Sequence, residues 1–183
     1  MTQAGDPVPL PAPEALNGPV VLADYDPGWP TWYDTLAGRV RAALGGRVVA
    51  LHHAGSTSVP GLTAKPLIDM LLEVADSADE AAYVPDLEAA DFVLRIREPD
   101  WFEHRLLKSA APSANLHVYT AGEAEVRRML AFRDHLRRDL ADRALYEATK
   151  RALAARTWEK TQDYADAKSE VIAQIMSRAL AAP

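Results

Sequence analysis

A chain of 183 residues is long enough to bury a real core, and 49% hydrophobic with 25% charged residues is the composition of a soluble globular domain. With no cysteine, disulfides and thiolate metal sites are excluded. The net charge of −6 argues against general nucleic-acid binding, because a polyanion rewards a basic surface.

The charge is unevenly spread. From Glu123 onward there are 12 Lys/Arg and 10 Asp/Glu, a net of +2, so the preceding residues carry −8. The C-terminal third could face a small anion, or its cations could simply lie on solvated helix faces. No apolar run approaches the ~18–20 residues of a membrane span. The N-terminus lacks the basic and apolar regions of a secretory signal, so no membrane association and a cytoplasmic location are expected.

Residues 1–19 hold five of the 13 prolines and read as a flexible arm without a fold of its own. A single domain is expected over 20–183, with an α/β core at 20–122 and a helical lobe at 123–183. The helix that begins near Pro30 carries Trp32, Leu36, Val40 and Leu44 at four-residue spacing, and Gly45-Gly46 ends it. RVVALHH (47–53) reads as a strand, and PLIDMLLEV (66–74) as a strand buried on both faces. Residues 77–90 read as helix, and DFVLRI (91–96), HRLLKS (104–109) and ANLHVYT (114–120) as three more strands. The remainder reads as helices, the last running from Trp158 to about Ala181. The fold class expected is α/β (α+β), a mixed sheet of about five strands with a helical C-terminal lobe.

One stretch concentrates chemistry: HHAGSTSVPGLTAKPLIDM, residues 52–70. Its Gly55-Ser56-Thr57-Ser58 turn follows a strand, where outward backbone amides and hydroxyls can hold phosphate oxygens. A plain capped turn is the alternative. It is not a Walker A loop, since Lys65 is followed by Pro66. Asp69 lies in an apolar run, where an unpartnered carboxylate would cost several kcal/mol. It therefore needs a metal, a cation or backbone donors, unless it lies at an exposed strand position. Alternation puts Asp69, Leu71 and Glu73 on one face.

Ala54-Gly55-Ser56, then twelve intervening residues and Asp69-Met70-Leu71-Leu72, resembles the opening motif of the nucleotidyltransferase superfamily. There the second metal carboxylate falls at the position of Leu71. More specifically, HAGSTSVPGLTAKPLIDM resembles the signature of the GrpB family. The resemblance continues through NLHVY (115–119), FRDHLR (132–137), Tyr146 with Lys150, and YADAKSEVI (164–172), and covers roughly residues 20–180. It implies a nucleotidyltransferase-like fold and a pocket built from Gly55, Ser56, Thr57, Lys65, Asp69, His53 and His117, with helical residues closing over it.

The implied chemistry is binding of a nucleotide or other phosphorylated small molecule, with Asp69 and His117 as catalytic candidates. A divalent metal, Mg²⁺ or else Mn²⁺ or Zn²⁺, would draw on Asp69, His117, His53 and Glu73. Arg133, Lys150, Tyr164 and Lys168 are candidate phosphate or ligand contacts, Arg133 for its planar fork. A salt bridge to a nearby carboxylate is the competing role for Arg133. GrpB-like domains also occur fused to dephospho-CoA kinase, which makes that kinase a candidate partner in trans. Two functions stay open: a metal-dependent nucleotidyl or phosphoryl transferase, and a non-catalytic ligand-binding or folding-accessory domain that lacks the second metal carboxylate.

Overall fold

A computed structural model describes residues 15–181. The elements in chain order are β1 (Ala15–Pro19), α1 (Trp29–Leu44), β2 (Ala50–Ala54), β3 (Ile68–Val74), α2 (Val84–Ala89), β4 (Val93–Glu98), β5 (His104–Ala110) and β6 (Ser113–Thr120), followed by α3 (Ala124–Arg138), α4 (Leu140–Ala154), β7 (Thr157–Lys160), α5 (Thr161–Asp166) and α6 (Ser169–Ala181).

β2 to β6 form a mixed five-stranded sheet in the order β2-β3-β6-β5-β4. Only the central β3–β6 pair is parallel; the other pairs are antiparallel. This is the mixed α/β architecture expected from the sequence. β3 and β6 sit in the middle, which explains why PLIDMLLEV is so apolar.

The two faces of the sheet do different things. Ile68, Met70, Leu72 and Val74 of β3 pack with Leu116 and Val118 of β6 and Leu107 of β5 against Trp29, Leu36, Val40 and Leu44 of α1. This is the main core. Each fully buried side chain of this size contributes about 1.5–3 kcal/mol relative to exposure. On the other face, Leu71 meets Ala54, Tyr119 and Val126, with Met129 and Leu130 of α3 packed beside them. A third cluster ties the C-terminal helices to the loop after β2, through Val59, Leu62, Leu136, Tyr146, Val171 and Ile175. The helical lobe is thereby seated over the turn at 55–58.

Three expectations need correction. Residues 15–19 of the supposed arm form β1, which pairs antiparallel with β7. Residues 1–14 lie outside the described residues. The helix expected from Trp158 is a strand followed by two helices, α5 and α6. The indole of Trp158 donates to the Leu153 carbonyl and packs near Val20, Leu153 and Tyr164, so a continuous helix gives way to non-local pairing. Residues 77–90 yield only a short 3₁₀ turn and the six-residue α2, which Pro85 starts.

Candidate functional site

The turn after β2 is held by its own groups. Gly55 has φ +64° and ψ −173°, a region that essentially only glycine enters. A Cβ there would lie 2.2 Å from Asp69 Oδ2. Glycine is thus required twice over, by conformation and by the approach of Asp69. Ser58 Oγ donates to the Gly55 carbonyl at 2.6 Å. The buried Thr57 hydroxyl donates to the Leu67 carbonyl at 3.3 Å and accepts from His53 Nε2 at 3.0 Å. Thr57 therefore staples the loop. Ser56, between them, faces the cavities described below.

Register places Ala54 opposite Asp69 and Asp69 beside Asn115. Asn115 Nδ2 donates to Asp69 Oδ1 at 2.9 Å, and His117 Nε2 stands 3.8 Å from the same oxygen. Burial raises the Asp69 pKa, but His117, Asn115 and the charge of Lys168 outweigh it and leave the carboxyl lowered. Asp69 is thus an ionised group facing a partly open pocket.

Behind His117 the hydrogen bonds continue. His117 Nδ1 lies 3.0 Å from His104 Nε2, and His104 Nδ1 lies 2.7 Å from Glu98 Oε2. A carboxylate accepts, so His104 donates from Nδ1 and accepts at Nε2 from His117. Burial, with the like charge of His117, lowers the His104 pKa to about 4 and keeps this ring neutral. Tyr119 stacks on His104, and Trp101 meets it edge-on.

The expected metal set does not assemble. His53 pairs in register with Met70, on the face opposite Asp69, and stacks flat on Tyr33 of α1 at 4.8 Å. Burial lowers its pKa to about 4. His52, not His53, shares the Asp69 face, and it meets Glu73 Oε1 at 3.4 Å. Glu73 also accepts the Gly122 amide at 2.8 Å, so it is engaged at the far end of the strand. Leu71, between the two acids, is 0% exposed beneath α3. Two carboxylates cannot converge where one position is a core leucine, so the donor set does not fit a two-carboxylate divalent site.

For Arg133 the competing role, a salt bridge to a nearby carboxylate, is the one observed. Its guanidinium grips Asp134 bidentately at 2.8 and 3.0 Å, and Nη1 donates to the His53 carbonyl at 2.9 Å. Arg137 likewise donates twice to the Ser58 carbonyl. These arginines latch α3 to β2 and the turn.

What does converge is a set of lysines. Lys65, Lys150 and Lys168 line one cavity of about 70 Å³ with Ser56, Asp69 and Tyr164. Lys168 Nζ stands 4.6 Å over the Tyr164 ring, and Lys65 Nζ 5.8 Å from it. Lys150 Nζ is 5.0 Å from the Tyr146 ring and donates to the Thr63 carbonyl. Burial, then the like charge of Lys168, brings Lys150 down to about 7. Burial, then Lys65, brings Lys168 down to about 8, with Asp69 opposing. A second cavity of about 200 Å³ adjoins the first and shares Ser56, Asp69 and Lys168 with it.

Asn115 and the His104–Glu98 pair were not anticipated. Asn115 begins NLHVY, but only the β3–β6 register brings it to Asp69. His104 and Glu98 meet through the β4–β5 pairing.

The sheet order and the turn packed against Asp69 define a mixed α/β protein whose C-terminal helices cover that turn. The family model described as GrpB protein matches residues 19–178, and the chain belongs to the GrpB family. It is 53% identical over 89% of its length to a UPF0157 protein of Halalkalibacterium halodurans, covering 84% of that protein. It is 31% identical over 78% of its length to a protein named dephospho-CoA kinase from Mycolicibacterium paratuberculosis, of which it covers 42%. The crystal structure of conserved protein GrpB from Enterococcus faecalis is similar, with a TM-score of 0.77 and 28% identity, covering 87% of this chain and 97% of that one.

Proposed function

We propose that the protein binds a phosphorylated small molecule in the lysine-lined cavity, and that its positive side chains rather than a metal pair neutralise the phosphate. The observation that carries this reading is the convergence of Lys65, Lys150 and Lys168 on one small cavity floored by Ser56. Burial and mutual repulsion lower Lys150 and Lys168, and a bound anion would favour their charged forms. Metal-dependent nucleotidyl transfer is the weaker reading, because the position of the second carboxylate is the buried Leu71. A nucleotide is one ligand that would fit, as the superfamily resemblance implies. Association with a dephospho-CoA kinase is a second reading, favoured by the relative of that name.

The test is thermal stability of the purified chain in inorganic phosphate at matched ionic strength, with and without Mg²⁺. Phosphate at 100 times its dissociation constant should stabilise by ~2.7 kcal/mol without metal. Lys168→Ala should abolish this shift. Stabilisation that appears only with Mg²⁺ would refute the proposal.

A further inference from the structure

The second cavity gives the ligand more definition than its phosphate. Its walls are largely apolar: Val59 after the turn, Met129, Phe132 and Leu136 of α3, and Ile172 of α6. Phe132 meets Tyr146 edge-on at 5.2 Å, so one wall is an ordered aromatic corner. Two arginines also border it, but both are committed. Arg133 is bidentate to Asp134, and Arg128 is bidentate to Glu125 at 2.6 and 2.7 Å. Positive charge therefore collects in the smaller cavity, and Lys168 stands at the junction.

This division discriminates between ligands. An extended polyphosphate needs cations along its length, and beyond Lys168 the lining offers apolar carbon and two arginines already neutralised. A single phosphate attached to a ring finds both halves matched. We infer that the two cavities form one bipartite site for a phosphate monoester bearing an aromatic or similarly apolar ring-sized group, phosphate among the lysines and ring against Phe132, Leu136 and Ile172. This rests on the phosphate reading above and names the class of ligand it implies.

The experiment is calorimetric titration of the whole chain with inorganic phosphate, phenyl phosphate, phenol and tripolyphosphate. Burying a phenyl ring should make phenyl phosphate bind about tenfold or more tighter than inorganic phosphate. Phenol alone should not bind measurably. Ile172→Trp, which fills the apolar cavity, should remove the advantage of phenyl phosphate over inorganic phosphate. If circular dichroism shows that this variant does not fold, Met129→Phe fills the cavity from the α3 side and carries the same expectation. Equal affinities for phosphate and phenyl phosphate in the parent chain would overturn the inference and leave phosphate binding intact. So would tighter binding of tripolyphosphate than of phenyl phosphate. If no phosphate compound binds, the phosphate reading fails, and this inference fails with it.

Discussion

Gly55 and Asp69 compete for the space of one methyl group: a Cβ on Gly55 would lie 2.2 Å from Asp69 Oδ2 and 2.9 Å from Asp69 Cβ. Gly55→Ala combines that clash with a backbone conformation foreign to alanine, so a loss of about 2–4 kcal/mol is expected. Denaturant unfolding measures it. Removing the carboxylate in Gly55→Ala/Asp69→Ala should recover only part of the loss, because the Cβ contact and the conformational strain persist.

The buried lysines give opposite pH signatures to folding and binding. Lys150 and Lys168 have folded-state values of about 7 and about 8, below the unfolded value of 10.5. Between these limits the unfolded chain holds more protons, so stability of the ligand-free protein should rise with pH from about 7 toward 10. Lys168→Met should be more stable than the parent at neutral pH and show a flatter profile. Phosphate affinity should instead fall over pH 7–9, as the ammonium groups it relies on are lost. Thermal melts across pH, with and without phosphate, check both signs.

On the acid side, His53 and His104 are lowered to about 4 by burial. The unfolded chain takes up their protons near 6.5, the folded chain only near 4. Stability should therefore decline as pH falls from 6.5 to 4. His104→Phe should reduce that slope while breaking the link between His117 and Glu98. An unchanged slope in this variant would show that His104 does not contribute.

Leu71→Asp restores the acid that a two-carboxylate metal site would need. It does so at a position with no solvent access, under Val126 and against Tyr119. A loss on the order of 4 kcal/mol is expected from the buried, unpartnered charge and lost packing, with no stabilisation by Mg²⁺. Leu71→Ala separates the packing component. A Mg²⁺-dependent rise in melting temperature for Leu71→Asp would show that Asp69 can still be completed into a metal site.

Arg133→Ala should cost stability rather than phosphate affinity, because its donors are spent on Asp134 and the His53 carbonyl. A loss of about 1–3 kcal/mol is expected from the uncompensated carbonyl and the lost latch. Calorimetry on this variant and on Lys168→Ala distinguishes the two roles.

Local sequence was enough for much of the architecture, since apolar period, glycine stops and proline starts act over a few residues. α1, the strands of the five-stranded sheet, and the glycine turn were all legible that way, with strand ends moving by at most three residues. Of the residues the family resemblance picks out, Ser56, Asp69, Tyr146, Lys150, Tyr164 and Lys168 line the two cavities, whereas His53 and His117 do not. What pairing across the chain decides was not legible. β1 and β7 exist only because residues about 140 apart meet. His53 and Glu73 are candidate ligands by type, yet strand alternation and register send one to the α1 face and commit the other to Gly122. Arg133 and Lys168 carry the same charge in the sequence. The position of Asp134 neutralises one, and desolvation leaves the other poised at the cavity junction. Composition supplied the side chains, while tertiary packing determined which are spent on the protein's own groups and which line the two cavities.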